Sequence, residues 1–172
     1  MLTHHNRKAQ EVIHMSQEAL ANAKAVLESR IGQAGTPTQW FEVTQERINA
    51  FADATMDYQW IHVDEERAKS GPFGTTIAHG QLTMSVMSFL PGGDGAGIPK
   101  LDGVKMGINM GWNKVRFPSP VPVGARIRTV PKLVEVTVKG ENMIEAVNEL
   151  TVEVQGSEKP ACVAQSVLRM LF

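Results

Sequence analysis

A long alternation of apolar and polar side chains dominates the second half of the chain, and β-strands are the structure that accommodates it. Within residues 126–139, Val134, Val136 and Val138 alternate with charged or hydroxyl-bearing neighbours. A period of two places the valines on one face of a strand and their neighbours on the other. Further strand-like segments are 104–113, 114–117, 143–155 and 161–171, with a hairpin turn over 139–142. The pattern predicts a meander of long antiparallel strands with one buried and one solvated face.

One apolar helix is predicted to pack against this sheet. From Gly80 onward, four residues recur at helical spacing: Leu82, Ser85, Val86 and Phe89. Pro91 and the two glycines after it end the pattern. The stripe is nearly free of charge, so we expect it to be buried. A long central helix against an antiparallel sheet is an α+β architecture.

An additional amphipathic helix is predicted for residues 7–31, where alanine is frequent and proline is absent. The glycine-rich segment 32–37 ends it. We expect this helix to take no part in catalysis and to dock through Val12, Met15, Ala19 and Val26. The predicted division is an N-terminal helical extension over residues 1–37 and one domain over residues 38–172.

A shorter helix is predicted to follow Thr44, which is a favourable N-cap residue. Its apolar face carries Ile48, Phe51 and Ala52, and it ends near Met56-Asp57. Residues 57–74 then form a loop with short turns. A loop of this length in a compact domain is usually functional.

The composition excludes several classes of function. The 172 residues, 42% hydrophobic and 20% charged, are typical of one globular domain. A formal net charge of −1 argues against nucleic acid or an acidic membrane surface as the main partner. No apolar run approaches the roughly 20 residues of a membrane span, and the N-terminus lacks signal-peptide features, so the cytoplasm is the predicted location. The single cysteine, Cys162, lies in an apolar run and is predicted to be a buried, unreactive thiol.

The residues that point to chemistry lie between positions 57 and 80. Asp57 precedes His62 by five residues, and a glycine-rich loop then leads to His79-Gly80, where the apolar helix begins. A carboxylate and an imidazole beside the apolar Trp60 are suited to proton transfer, because desolvation tunes both groups. The Gly80 N–H can face a carbonyl oxygen, since glycine lets a ligand approach closely. These are the groups needed to add or remove water next to a carbonyl.

Two residues near this group have more than one interpretation. Ser85 lies about one and a half turns after Gly80, and its hydroxyl bonds either a backbone carbonyl or the Asp57–His62 pair. His79 has no carboxylate partner in the local sequence, so a structural role is favoured over a catalytic one.

Two segments resemble the signatures of the MaoC-like dehydratases, the (R)-specific enoyl-CoA hydratases of the hot-dog fold. The first is Asp57-Tyr58-Gln59-Trp60-Ile61-His62 followed by Ile77-Ala78-His79-Gly80, and the second is Val115-Arg116-Phe117-Pro118-Ser119-Pro120-Val121-Pro122-Val123-Gly124. The resemblance covers roughly residues 38–171 and is closest to the nodulation-protein-N-like subgroup. Gln59-Trp60 replaces the commoner Asn-Pro, so chain-length preference and loop shape do not carry over from other members.

The resemblance implies a hot-dog fold, an antiparallel sheet wrapped around one long helix that starts near His79-Gly80. The implied reaction adds water to a trans-2-enoyl thioester of coenzyme A, giving the (R)-3-hydroxyacyl product, or runs in reverse. Asp57 and His62 would hold one water, the Gly80 N–H would polarise the thioester carbonyl, and Ser85 would bond near the pair. No metal or redox cofactor is implied. A homodimer is expected, because pairing two sheets edge to edge covers an open edge.

Two other functions stay open. A hot-dog acyl-CoA thioesterase usually places an acidic residue on the central helix, and residues 80–90 contain none. A non-catalytic acyl-CoA-binding module is disfavoured by the spacing of Asp57 and His62. The candidates for contacts with the coenzyme A phosphates, with a solvated strand face as the alternative, are Lys114, Arg116, Arg126 and Arg128.

Overall fold

The computed structural model describes residues 4–94 and 97–172, and side chains from residue 14 onward. Its helices are α1 (His4–Glu28), α2 (Gln45–Thr55), α3 (Trp60–Val63), α4 (Glu65–Lys69) and α5 (Gly80–Val86). Its strands are β1 (Phe41–Glu42), β2 (Met106–Arg116), β3 (Arg126–Lys139), β4 (Met143–Val154) and β5 (Cys162–Leu171). Within the described ranges, none of the helices has both the length and the apolar character needed to cross a membrane.

The strands form one antiparallel sheet in the order β1-β3-β4-β5-β2, and the predicted meander of β3, β4 and β5 is confirmed. The β3–β4 hairpin pairs Val138 with Ile144 and turns at Gly140. The φ of Gly140 is 64°, a left-handed conformation that glycine adopts without a steric penalty. β2 lies at an edge of the sheet and pairs with β5, with two irregularities in the register.

One face of the sheet forms the core. Alternate residues of β4 from Ile144 to Val154 are buried there, as a period of two requires. They contribute to two clusters of buried side chains. The first cluster includes Leu82, Met87 and Leu90 from the α5 region, and the second receives Ala23 and Leu27 from α1. The same face of the sheet therefore covers both the α5 segment and α1.

The central helix is shorter than predicted. α5 ends at Val86, and the Phe89 N–H then bonds the Val86 carbonyl at 2.8 Å in a tighter turn. Pro91 contributes to this early end, because a helical conformation is disfavoured immediately before proline. The buried row runs through Thr83, Met87 and Leu90 at i, i+4 and i+7. Phe89 is 84% exposed, so its predicted burial is wrong.

α1 occupies nearly the predicted residues but docks through a different face. Its contacts with the second cluster come from Ala19, Leu20, Ala23 and Leu27. Ala19 is thus a confirmed contact. Met15 and Val26 are 66% and 43% exposed, so their predicted docking role is wrong. The face at spacing i, i+4 and i+8 from Ala19 packs on the sheet, and Val26 lies beside that face. Val12 lies outside the residues whose side chains are described, and the division of the chain at residue 37 stays a prediction.

Replacing Leu27 with alanine should lower the free energy of unfolding by about 2–5 kcal/mol, because the change leaves a cavity in the second cluster. Val26→Ala removes a neighbouring apolar side chain that is 43% exposed, and serves as the matched control. We expect the control to change the free energy of unfolding by about 0.5 kcal/mol or less. Urea denaturation measures both values. Equal losses in the two variants would show that α1 does not dock through Leu27.

Candidate active site

Asp57 follows the turn that ends α2. The helix starts as predicted, with the Thr44 hydroxyl oxygen accepting a hydrogen bond from the Arg47 N–H at 3.5 Å. It ends at Met56, whose φ of 61° lies in the left-handed region that is uncommon for residues with a side chain. This turn places Asp57 at the start of the connection to α3.

The predicted loop over residues 57–74 contains two short helices. α3 carries His62 into the fold, where its side chain is buried. α4 begins after Asp64, whose carboxylate accepts a hydrogen bond from the Arg67 N–H at 3.0 Å. The acidic N-cap followed by Glu65 and Glu66 in the first turn is a helix-start signal that the sequence does contain.

His62 is held by a backbone carbonyl. Its Nδ1 lies 2.7 Å from the Ile77 oxygen. A carbonyl oxygen only accepts hydrogen bonds, so in the neutral ring Nδ1 carries the proton and Nε2 keeps a lone pair. Burial lowers the pKa of His62 below its ordinary value, and charge on His79 acts in the same direction, whereas the Ile77 bond and Asp57 oppose both. His62 therefore favours its neutral form, with Nε2 available as a proton acceptor.

Three polar side chains converge beside His62. The potential ligand atoms of Asp57, His62 and His79 all lie within 4.8 Å of one another. The structure thus brings together the predicted Asp57–His62 pair, with Asp57 on the exposed side and His62 buried. His79 is buried and stacks on His62 with the ring centroids 3.8 Å apart. The local sequence gave no sign of this stacking, because it depends on α3 and the start of α5 meeting in space.

The donor types of these three residues would suit a transition metal. Their arrangement suits it less well. The two imidazole planes are stacked at 28° to each other, so their lone pairs run alongside one another and do not converge on one point. The chemistry that fits the cluster is proton transfer, and the absence of a metal requirement stays a prediction.

A pocket of about 320 Å³ opens next to this cluster. His62, Gly80 and Thr83 line it together with apolar groups that include Phe117 and Val121. Gly80 is the first residue of α5, and the side chain of the N-cap residue His79 makes no capping hydrogen bond there. A Cβ added at Gly80 would stand 3.2 Å from three atoms of the Phe117 ring, so this ring covers the glycine closely. The pocket is therefore lined both by His62, which can transfer a proton, and by Gly80, where any larger residue would displace the Phe117 ring.

Ser85 does not lie in the pocket. Its side chain is exposed, and its hydroxyl donates to the Gln81 carbonyl at 2.7 Å, which is the backbone alternative of the two interpretations. The predicted bond between Ser85 and the Asp57–His62 pair is therefore not formed. Thr83 is the buried hydroxyl residue that lines the pocket. Its spacing of i+3 from Gly80 puts both residues on one side of the helix, and this spacing could have identified it from the sequence.

The four predicted phosphate contacts have different surroundings. Lys114 and Arg116 lie on the exposed edge strand β2, and Arg116 immediately precedes the pocket residue Phe117. Arg126 is exposed at the start of β3. Arg128 is engaged elsewhere: its Nε is 2.7 Å from a Glu153 carboxylate oxygen and its guanidinium lies 4.6 Å from the centre of the Trp40 ring.

The backbone of the segment before β5 approaches the pocket, which the sequence did not predict. The hydroxyl of Ser119, which lines the pocket, donates to the carbonyls of Lys159 and Pro160 at 3.3 and 2.9 Å. These bonds bring the backbone of residues 159–160 next to the pocket from a position 40 residues along the chain, whereas Lys159 lines a separate cavity with Arg128 and Glu153. No local pattern could have predicted this approach.

Cys162 is buried, as predicted, and burial raises the pKa of its thiol to about 11. At neutral pH the group is therefore protonated and a poor nucleophile.

The chain is similar to several known proteins. Residues 26–155 match a family model described as MaoC like domain. The 3-hydroxyacyl-thioester dehydratase Z of Mycobacterium tuberculosis is 49% identical over 88% of this chain and 95% of its own length. Nodulation protein N of Rhizobium leguminosarum bv. viciae is 43% identical over 84% of this chain and 88% of its own. The solved structure of the (R)-hydratase from A. caviae involved in PHA biosynthesis shares the fold, with a TM-score of 0.62 at 23% identity over 80% of this chain and 94% of that one.

The antiparallel sheet with its buried helix is a hot-dog fold, which confirms the predicted α+β architecture. The chain belongs to the MaoC-like domain family.

Proposed function

We propose that the protein is an (R)-specific hydratase–dehydratase that adds water to trans-2-enoyl-CoA, giving (R)-3-hydroxyacyl-CoA, or removes it in the reverse direction. The observation that carries this proposal is the Asp57–His62 pair, whose polar atoms lie within 4.8 Å of each other beside a pocket that Gly80 also lines. The 49% identity to a named 3-hydroxyacyl-thioester dehydratase, over nearly the whole of both chains, supports the same chemistry. The enzyme is a hydro-lyase.

His62 is the better placed base of the pair. Its Nδ1–H is bonded to the Ile77 carbonyl, so the free lone pair on Nε2 can take a proton from a water held between His62 and Asp57. The water oxygen forms a bond to Cβ of the enoyl group as that proton moves to His62. The imidazolium then returns the proton to Cα, and the Asp57 carboxylate stabilises the intervening positive charge. The atoms of one water are thereby added, and no electron acceptor is required.

The Gly80 N–H supplies the remaining part of the mechanism. Addition at Cβ moves negative charge onto the thioester oxygen, and a fixed backbone donor stabilises that charge as it develops. Phe117 lies close to Gly80 and forms an apolar wall of the pocket at this position. Ser85, which faces away from the pocket, has no role in this mechanism.

The direct test is an assay with crotonyl-CoA and longer trans-2-enoyl-CoA homologues. A hydratase removes the enoyl absorbance, leaves the thioester intact and yields the (R) product on chiral analysis. Release of free coenzyme A would instead identify a thioesterase. Binding of acyl-CoA without turnover would identify a non-catalytic module.

The assembly we propose is a homodimer formed through β2. This edge strand carries a row of exposed apolar side chains: Met106, Ile108 and Met110, which are 48%, 40% and 46% exposed. An apolar edge of this length is prone to pair with another strand, and a second copy of β2 would satisfy it.

Ile108→Lys should convert this dimer to a monomer, because a charged side chain on the strand edge opposes pairing. Val138→Lys introduces the same charge at an exposed apolar position on β3 and is the matched control. Light scattering at micromolar concentration should give a dimer for the wild type and the control and a monomer for Ile108→Lys. A monomeric wild type would contradict the proposed assembly.

Of the four predicted contacts with the coenzyme A phosphates, Arg116 is the best placed. It immediately precedes the pocket residue Phe117 in the chain. Lys114 lies on the same strand as Arg116. Arg126 and Arg128 are less suitable, since Arg128 is already paired with Glu153 and Arg126 lies near it on β3.

A further inference from the structure

His79 has no part in the proton transfers described above, yet it contacts the His62 ring and the backbone of Asp57. Its side chain is only 2% exposed. Its ring stacks on that of His62 at 3.8 Å between centroids, and the Phe51 ring of α2 lies 5.1 Å away. It also precedes Gly80 in the chain and is the N-cap residue of α5.

A hydrogen bond connects His79 to the backbone of Asp57. The Nε2 of His79 lies 2.9 Å from the Asp57 carbonyl oxygen, so Nε2 carries the proton in the neutral ring. This bond joins the start of α5 to the left-handed turn that follows α2. His79 is 22 positions from Asp57 in the sequence and directly precedes Gly80. The bond therefore fixes the distance between the Asp57 backbone and Gly80.

The His79 ring acts against protonation of its neighbour His62, because positive charge on His79 lowers the pKa of His62. Its Nδ1 is buried and has no hydrogen-bond partner among the residues that the structure describes. Two imidazolium rings stacked at this distance would also repel each other. In the described part of the chain, the titratable groups that face His62 are His79 and Asp57, whereas the Ile77 side contributes a backbone carbonyl.

We propose that His79 is a positioning residue of the hydration reaction, which holds the Asp57 backbone and the His62 ring in place. The same stacking lets His79 act on the titration of His62. The effect on turnover rests on the proposed hydratase function. The effect on His62 itself does not, because it follows from the stacking and can be measured without substrate.

Two substitutions separate the hydrogen bond from the shape and the charge. In His79→Gln the amide nitrogen is four bonds from Cα, as Nε2 is in histidine, so it can still donate to the Asp57 carbonyl. In His79→Phe an aromatic ring can still stack on His62, but the donor is lost. Neither variant has a titratable group at position 79. For each we would measure kcat, KM, the pH dependence of kcat and the NMR titration of the His62 ring, with thermal unfolding as a check of folding.

His79→Phe should lower kcat by roughly 10- to 100-fold with KM within about threefold of wild type, because misplaced reacting groups lose rate at this scale and His79 does not line the pocket. If His79→Phe loses about 100-fold in kcat, the kcat of His79→Gln should be at least about tenfold higher than that of His79→Phe. In both variants the pKa of His62 should rise, because the neighbouring imidazole that can carry a like charge is gone. The acid limb of the pH dependence of kcat should move to higher pH with it.

Equal kcat for both variants and the wild type would overturn the positioning role. A His79→Phe variant as active as His79→Gln would overturn it too, because His79 would then merely fill space. An unchanged His62 titration in folded His79→Gln would overturn the electrostatic part. If His79→Phe fails to fold, His79→Gln still tests the proposal: its kcat tests the positioning role, and its His62 titration tests the electrostatic effect. If the wild type hydrates no enoyl-CoA, the proposed function fails, while the His62 titration still tests the contact with His79.

Discussion

Asp57→Asn and His62→Asn should each lower the rate of enoyl-CoA hydration by at least about 10²-fold, the lower end of the effect of general acid–base groups. Asparagine at position 57 keeps the size of the side chain but removes its charge, so the imidazolium formed on His62 loses its stabilising carboxylate. Asparagine at position 62 removes the lone pair that accepts the proton of water. Steady-state kinetics with crotonyl-CoA measures both losses, and affinity for an unreactive acyl-CoA analogue should be largely kept.

The double variant distinguishes a shared water from two separate roles. If both side chains act on one water, Asp57→Asn/His62→Asn should be little slower than the slower single variant, because residues that work as a unit are not additive. Asp53→Asn and His14→Asn make the same chemical changes at exposed positions outside the pocket and are the matched controls. Fully additive losses would contradict the shared-water mechanism even in a confirmed hydratase.

The pH dependence of kcat should identify His62 as the base. Because burial, the largest cause, lowers the pKa of His62, the ring stays neutral below its ordinary titration range. The rate should therefore hold as the pH falls through about 6.5, the ordinary histidine value, and decline only when the lowered pKa is reached. A decline centred at or above that ordinary value would mean that a different group limits the rate.

The sequence predicted the sheet well because each long strand carries its own evidence. Alternation at Val134, Val136 and Val138 needs no information from elsewhere in the chain, and β3 has the predicted bounds of 126–139. The pairing of Asp57 with His62 was also accessible, since both lie in one short segment. Here the resemblance to a family added a mechanism that the local pattern alone did not define.

The helix faces were harder to predict, because several apolar residues competed for burial. On α5, Phe89 looked like a core residue, yet the row through Thr83, Met87 and Leu90 faces the sheet. The same ambiguity misassigned Val26 on α1. Ser85 was assigned to the active site from the family pattern, whereas its bond to Gln81 turns it toward solvent. Rotation of a helix about its axis is decided by tertiary packing, and helical period alone leaves it open.

Contacts between distant segments lay beyond sequence reasoning altogether. The stacking of His79 on His62 requires the loop after α4 to bring the start of α5 back against α3. Likewise Lys159 reaches Ser119 only because the segment before β5 folds toward the end of β2. Neither approach leaves a periodic or compositional signal.

Gly80→Val should lower the turnover of enoyl-CoA by about 10²-fold or more, comparable to removing one oxyanion donor in other enzymes. The φ of Gly80 is outside the positive range, so a side chain does not strain the backbone by itself. The damage comes from space: the first added carbon already stands 3.2 Å from the Phe117 ring, and the two methyl groups of valine need further room. The ring, the thioester or the start of α5 must then move, and each displacement weakens the bond from the Gly80 N–H.

A graded series isolates this steric cause. Gly80→Ala should lose less than Gly80→Val, because alanine needs a shift of only a few tenths of an ångström at Phe117. The loss caused by Gly80→Ala should be smaller when the Phe117 ring is absent. The rate of Gly80→Ala/Phe117→Ala is compared with that of Phe117→Ala, and the rate of Gly80→Ala with that of the wild type. Gly107→Ala is the matched control, since its new Cβ would meet only Leu168 at an ordinary 3.7 Å. If Gly80→Val turns over enoyl-CoA at a near-wild-type rate with its fold intact, the thioester carbonyl is held by a donor other than Gly80.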